Sequence, residues 1–372
     1  MKLGLFLMPS HPPERDLREG HEWDLEVLCA ADRLGYHEAW IGEHFTAPWE
    51  PNPAPDLLIA QALTQTSRIK LAPGAHLLPY HHPAVLACRV AYMDHLANGR
   101  YMLGIGSGGL PTDFQMFDID PAIGQHREKF REALDIMLKM WTTDGGLECD
   151  GKYWKVKVTQ PMYDNLLRHH IKPLQKPYPP IGIAGISLKS ETLKLAGEYG
   201  FLPLSLDMND KALASHWEAV EEGAARSGRI PKRSDWRIVR DVFVADTDAQ
   251  ARKDCLASGL VRATREYLLP LYRELQFTPF FKHDNAVPDE EVTPEYLIDH
   301  SWLVGSPRTV VEKVMALYRK VGGFGGILMM GADCADNPAP WLKSLRLMAE
   351  EVMPHLANLT GDEAGSEARA AK

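Results

Sequence analysis

The sequence predicts an α/β protein of the (β/α)8 TIM-barrel class, on three observations. Eight short apolar segments recur along the 372 residues, with amphipathic stretches between them. Three of the repeats run helix, glycine, apolar strand: "RLGYHEAWIGEH", "LAGEYGFLPLS" and "YRKVGGFGGILMMG". No glycine-rich dinucleotide turn follows the first apolar segment. Near-continuous apolar strands alternating with helices imply a parallel sheet covered on both faces. The missing turn favours a closed barrel over a doubly wound sheet.

In order, "LGLFLM" (3–8) reads as the first strand, and an amphipathic stretch from Glu22 to Leu34 as the first helix. Gly35 closes that helix, since glycine has no Cβ to clash in the left-handed conformation. Further strands are read within 36–44, "IKLAPGAHLL" (69–78), "RYMLGIGSGG" (100–109) and "PIGIAGIS" (180–187). The last three lie within 195–205, "WRIVRDVFVAD" (236–246) and 318–331. Helical patterns occupy 83–97, 126–141, 188–199, 209–227 and 307–320. Two segments interrupt the alternation. Residues 145–179 read as a hairpin with a long connection, and 261–304, rich in aromatics and prolines, as a functional loop. One barrel domain over 1–357 is expected, then a small, polar, disordered tail over 358–372.

Composition narrows the function. Hydrophobic residues at 45% and charged residues at 24% describe a globular protein with a large core. A net charge of −9 argues against a nucleic-acid or anionic-membrane surface, because both need a basic patch. The apolar run after Met1 stops at Pro9, too short for a signal-peptide core or a bilayer span. The five cysteines are scattered, without metal-ligand spacing, so a reduced, cytoplasmic protein is expected.

In a barrel the active site forms at the carboxyl ends of the strands. Glu43 and His44 stand at one such end, and Gly74-Ala75-His76, Gly106-Ser107-Gly108-Gly109, Gly185-Ile186-Ser187 and Gly331-Ala332-Asp333 at others. Strand ends without bulk leave room for a flat ring or let backbone amides approach a phosphate. Ser187 and Ser190 are read into the first turn of a helix, where free amides and the dipole favour an anion; helix capping is the plain alternative. His81 and His82 precede Pro83 and are read as capping or packing residues, and His169-His170 as surface. Strand-borne metal-ligand patterns are missing, so no metal site is expected. Met8, Phe45, Trp49 and Leu110 should line an apolar pocket for a hydrophobic small molecule.

These residues resemble the bacterial luciferase-like family of flavin-dependent monooxygenases. The resemblance is carried by "EHF" (43–45), "LPYHHP", "MDHLANGR" (93–100) and "GIGSGG", then by "IAGIS", "GEYGFLPLS", "LVGSPRTVVEKV" and "GGILMM". Met1 to Asp120 is similar without gaps to the catalytic subunit of alkanal monooxygenase, and "RLGYHEAWIGEH" with "LPYHHP" resembles members described as limonene monooxygenases. The resemblance is weakest over 145–179 and 261–300. It implies a barrel that works as a homodimer and uses reduced FMN, supplied by a separate NAD(P)H:flavin reductase, to activate O2. The oxygenated substrate would be a terpene, ketone or aldehyde.

By the same resemblance His44 is the catalytic histidine and Glu43 its acidic neighbour, orienting the ring. Gly74-Ala75 carries a non-proline cis peptide. Ser107 and the turn from Gly185 through Ile186 and Ser187 to Ser190 match the cofactor phosphate site, with Gly106 beside them in the cofactor pocket. Glycine at 106, serine at 107 and aspartate at 333 depart from the luciferase itself and argue against light emission. The family reaction runs through a C4a-peroxyflavin, whose proton His44 would hold or deliver. The 261–304 segment would serve as a lid that excludes water. The dimer is expected through helices near 54–66 and 83–97, the second carrying Val85, Leu86, Val90, Met93 and Leu96. Competing readings are a deazaflavin-dependent oxidoreductase of the same superfamily, a non-catalytic partner subunit, and a metal-dependent barrel hydrolase.

Overall fold

The computed structural model describes residues 1–158, 160–206 and 209–362. Eight parallel strand positions form a barrel: β1 (Lys2–Leu7), β2 (Glu38–Ile41), β3 (Lys70–Pro73, resuming at His76–Leu77) and β4 (Leu103–Gly106). These are followed by β5 (Ile181–Gly185), β6 (Leu202–Ser205), β7 (Arg237–Arg240) and β8 (Gly326–Met330). Strand β8 returns to β1, with Leu3 opposite Ile327 and Phe6 opposite Met330. The ring closes at the broken strand, where Leu71 bridges Tyr101 and His76 lies opposite Ile105. All eight strands expected from the sequence are barrel strands.

Alternation along each strand sorts the core into two layers. Phe6, Trp40, Ala72, Met102, Leu204, Val239 and Leu328 point inward and fill the barrel. Leu5, Leu7, Ala39, Ile41, Leu71, Ile183, Ile238 and Ile327 belong to the outer core that the helices cover. Gly182 makes room for the largest inward residue, since a Cβ there would lie 2.4 Å from Cη2 of Trp40. Below Trp40 the Arg237 guanidinium holds Glu38 (Nε–Oε1 2.8 Å, Nη2–Oε2 3.1 Å), and the Trp40 indole N–H donates to the same Oε1. Burial pushes the Glu38 carboxyl up, but Arg237 outweighs it and holds the group below the usual range.

The helix–glycine–strand repeats appear as read. Gly35, Gly200 and Gly322 follow their helices at φ +80°, +75° and +78°. The first helix begins at Leu17 rather than Glu22, because the Asp16 side chain caps it by accepting from the amides of Arg18 and Glu19. Residues 236–246, read as one strand, are two. The chain leaves the barrel at Asp241, and Val242–Val244 pairs with Leu303–Gly305, the end of the 261–304 segment. The 145–179 segment contains the expected hairpin, Leu147–Asp150 against Lys155–Val158.

Packing continues past residue 357. Leu359 lies on the core, the Gly361 amide donates to the Tyr318 hydroxyl, and Asp362 accepts from the Ser234 amide. The boundary of the expected tail therefore moves to 362, and 363–372 lie outside the described residues. On the helix Pro83–Leu96, Leu86, Val90 and Met93 face the core, while Val85, Tyr92 and Leu96 stay exposed, as does Leu57 of the helix Pro55–Gln65. Among the described residues no helix is long and apolar enough to cross a membrane.

Candidate active site

The expected strand-end residues share the carboxyl face of the barrel, because all eight strands run the same way. After β2 the chain forms a closed loop: Asn52 Nδ2 donates to the Gly42 carbonyl, and the His44 amide to the Asn52 carbonyl. The loop carries Glu43, His44, Phe45, Trp49 and Glu50.

Glu43 and His44 each make their close contact with another residue. His44 Nδ1 lies 2.6 Å from Oε2 of Glu50, an ion-pair contact short of an aligned hydrogen bond. Burial pulls the His44 imidazole down; Glu50, helped by Asp113 and Glu43, reverses this and leaves its pKa above the ordinary value. Asp113 is buried, accepts from the Thr46 hydroxyl through Oδ1, and has no partner at Oδ2 among the described residues. The carboxylate that orients His44 is therefore Glu50, not its chain neighbour.

Glu43 turns to β3. Its Oε2 lies 2.6 Å from His76 Nδ1 and its Oε1 2.8 Å from His81 Nε2. His76 Nε2 reaches Asp56 Oδ1 at 2.6 Å, and Arg89 Nε meets Asp56 Oδ2 at 2.5 Å. Burial lowers His76, but Asp56 and Glu43 raise it to about 9. Burial likewise opposes charge on Glu43, and the two histidines bring it down to about 2. His81 thus corrects the capping or packing expectation; His82 does cap, accepting from the Ala84 amide. One ligand-type atom from each of Glu43, His76 and His81 lies within 4.8 Å of the others. The 2.6 and 2.8 Å contacts are hydrogen bonds, shorter than the roughly 3.4 Å between ligands of a tetrahedral zinc.

Met8, Phe45, Trp49 and Leu110 divide into separate walls. Phe45 packs edge-on to Tyr80 and Phe117, with centroids 5.8 and 4.8 Å away. Met8 lies on Gly42, where a Cβ would come 2.6 Å from its Cε. Leu110 precedes the helix Pro111–Met116, which carries Asp113. Trp49 stacks on Tyr267 of the 261–304 segment at 5.9 Å, and the Tyr267 hydroxyl donates to Glu50 Oε2 at 3.0 Å. Behind Trp49 a cavity of about 130 Å³ is lined by Ser10, Arg15, Arg262, Asp333 and Trp341, so Trp49 is no continuation of the Phe45 wall.

The cofactor candidates form two turns. Gly74-Ala75 is a cis peptide, as expected. At the end of β4 the amides of Ser107, Gly108 and Gly109 have no acceptor among the described residues, and a Cβ on Gly109 would meet nothing within 4 Å. At the end of β5, Ser187 lies in an exposed turn and not in the helix, which begins at Glu191. Ser190 caps it by position only; its hydroxyl bonds Thr192 Oγ1 at 2.8 Å, and Gly185 is needed because a Cβ would lie 2.6 Å from Ser190 Oγ. A chain of donors fixes the turn. The Trp236 indole donates to Ser205 Oγ, which meets His216 Nδ1 at 2.9 Å, and His216 Nε2 meets the Ser187 carbonyl at 3.0 Å. Burial takes His216 down to about 4, so it is a neutral strut. Free amides beside an open glycine, with Lys189 exposed on the second turn, suit a phosphate; Ala75, Ile186 and Met8 suit a flat ring.

Comparison with known proteins decides the family. The luciferase-like monooxygenase model matches residues 1–323. The chain belongs to that family. It is 34% identical to 2,5-diketocamphane 1,2-monooxygenase 1 of Pseudomonas putida over 360 residues, 95% of this chain and 99% of the relative. Limonene 1,2-monooxygenase of Rhodococcus erythropolis is 34% identical over 364 residues, 95% of this chain and 86% of that protein. Among solved structures, the oxygenating constituent of 3,6-diketocamphane monooxygenase of Pseudomonas putida, a type II Baeyer-Villiger monooxygenase in complex with FMN, superposes with a TM-score of 0.89. It is 36% identical, covering 95% of this chain and 98% of its own. A coenzyme F420-dependent tetrahydromethanopterin reductase of Methanopyrus kandleri, 20% identical with a TM-score of 0.67, shares the fold alone. The class expected from the sequence, a flavin-dependent monooxygenase of the luciferase-like family, therefore stands.

Proposed function

We propose that this chain is the oxygenase of a two-component system, inserting one atom of O2 beside the carbonyl of a cyclic, terpene-like ketone. Reduced FMN would come from a separate NAD(P)H:flavin reductase, and the working form would be a cytoplasmic homodimer. The observation that carries the reading is His44, its Nδ1 held against Glu50 at the carboxyl face of the barrel. The similarity to ketone-oxygenating relatives narrows the substrate class.

Ser107, Gly108, Gly109 and the turn at Ser187–Lys189 would hold the FMN phosphate, with Gly74, Ala75, Gly106, Gly185 and Ile186 along its ring. When bound, the reduced flavin supplies the two electrons that activate O2. The protein supplies position, proton control and dryness. A cationic His44 holds a proton at Nε2 while Glu50 fixes the ring through Nδ1. Phe45, with Tyr80 and Phe117, presents an apolar wall, and Tyr267 brings the 261–304 segment down onto Glu50.

The test is a screen of bicyclic and monocyclic ketones and limonene, with purified chain, FMN, NADH and a flavin reductase. Lactone formation is expected. Epoxide from limonene, with ketones untouched, would replace the ketone reading. Reaction with reduced deazaflavin and not with FMNH2 would overturn the cofactor.

A further inference from the structure

The chain Arg89–Asp56–His76–Glu43–His81 runs from a half-exposed helix face to the barrel mouth, and the role assigned to His44 does not use it. Its first four members alternate in charge and close on one another at 2.5 to 2.6 Å. His76, Glu43 and Asp56 are buried. Two carboxylates thus meet two cations, and no charge in the series stands alone. Such a chain is costly to keep inside a protein unless every member is satisfied.

The fifth member differs. His81 is only partly buried, donates through Nε2 to Glu43, and has no partner at Nδ1 among the described residues. Its ring lies 5.4 Å from His76 and 6.5 Å from Phe45, the residue next to His44. When Glu43 holds the Nε2–H, a neutral imidazole is fixed in the tautomer whose lone pair sits on Nδ1. Other titratable groups facing this chain are Tyr101 from the turn before β4, Tyr80, Asp113 and His44.

We propose that His81 is a second acid–base residue of the site, its Nδ1 oriented as a base by the Glu43–His76–Asp56–Arg89 chain. The assignment rests on the monooxygenase reading above. In that reaction one oxygen atom enters the ketone and the other leaves as water, both electrons coming from the reduced flavin. His81 Nδ1 takes up a proton where the nucleophilic oxygen is unmasked, and returns it to the oxygen that departs as water. No net proton is gained at His81 over a turnover. His44 and His81 thereby divide acid and base work across Phe45, His44 held against Glu50 and His81 against Glu43.

Two measurements on the full chain test this. In the FMN, NADH and reductase assay, His81→Asn is expected to lower product turnover roughly 10²- to 10⁴-fold, with FMN binding and ketone KM unchanged. It should lose one limb of the pH–rate profile and recover activity with added imidazole; His76→Gln should lose less and shift that limb. Parental turnover for His81→Asn across the pH range, or a loss that imidazole does not relieve and that leaves both limbs in place, overturns the proposal. The second measurement needs no substrate. Nitrogen-15 imidazole spectra should show His81 as the Nε2–H tautomer in the parent and as a mixture in Glu43→Gln. An Nδ1–H tautomer in the parent overturns the assignment even if the chain oxygenates ketones. The Nε2–H tautomer in a parent that makes no product would leave the fixed ring standing and fail only the ketone reading.

Discussion

At the scale of single residues, His44 carries the sharpest expectation. His44→Ala should lower product formation roughly 10²- to 10⁴-fold, the range for removing a general acid or base. Oxygen uptake should continue and appear as hydrogen peroxide. Product at the parental rate would make His44 a wall of the pocket only. Glu50→Gln tests the partner. Glu50 is the largest influence raising His44 against its burial, so removing its charge should move the His44 limb of the pH–rate profile to lower pH. An unmoved limb rejects Glu50 as the orienting carboxylate. His44 was legible in the sequence because a strand end pointed at it, and Glu50 was not. Nothing in the five residues between them says that the loop folds back through Asn52. His81 looked like a cap because Pro83 follows; its bond to Glu43 exists only once β2 and β3 lie side by side.

At the scale of elements, the sequence was most informative where local chemistry decides. Glycine after a helix and apolar residues through a strand are local facts, and all eight barrel strands follow from them. The kink at Asp241 was not read from the sequence, because apolar residues resume at Val242 after only Arg240 and Asp241. It follows instead from the distant Leu303–Gly305 segment, which takes Val242–Val244 as its partner. Burial, partly opposed by Arg240, pushes the Asp241 carboxyl up to about 7. Inside the barrel, Gly182→Ala should cost about 1 to 3 kcal/mol, because the new methyl meets the Trp40 indole. Chemical denaturation measures this, and an unchanged midpoint would mean that Trp40 can move aside.

At the scale of the molecule, two buried histidines set an alkaline limit on stability. His76 and His11 are each raised to about 9: burial opposes their charge, Asp56 with Glu43 outweighs it for His76, and Asp24 with Asp333 for His11. A histidine raised above its unfolded value of about 6.5 stabilises fully below that pH and loses the contribution as pH climbs through 9. Glu43, lowered to about 2, stabilises above about 4.5 and loses its contribution as pH falls through 2. The thermal midpoint should therefore drop between pH 6 and pH 9.5; equal midpoints would show that these histidines are neutral in the fold. Exposed Val85, Tyr92 and Leu96 on one helix, and Leu57 on another, lead us to expect a dimer by light scattering at micromolar concentration. A monomer there would remove the face from consideration.

The 261–304 segment is not an interchangeable part. Through Tyr267 it touches Glu50, and through the stack with Trp49 it packs on the loop that joins Glu50 to His44. Grafting a relative's segment onto this barrel to change what it accepts would also retune His44. On the role proposed for His44, transplants that keep Tyr267 against Trp49 should inherit the chemistry with the new shape, and those that lose it should trade catalytic competence for specificity.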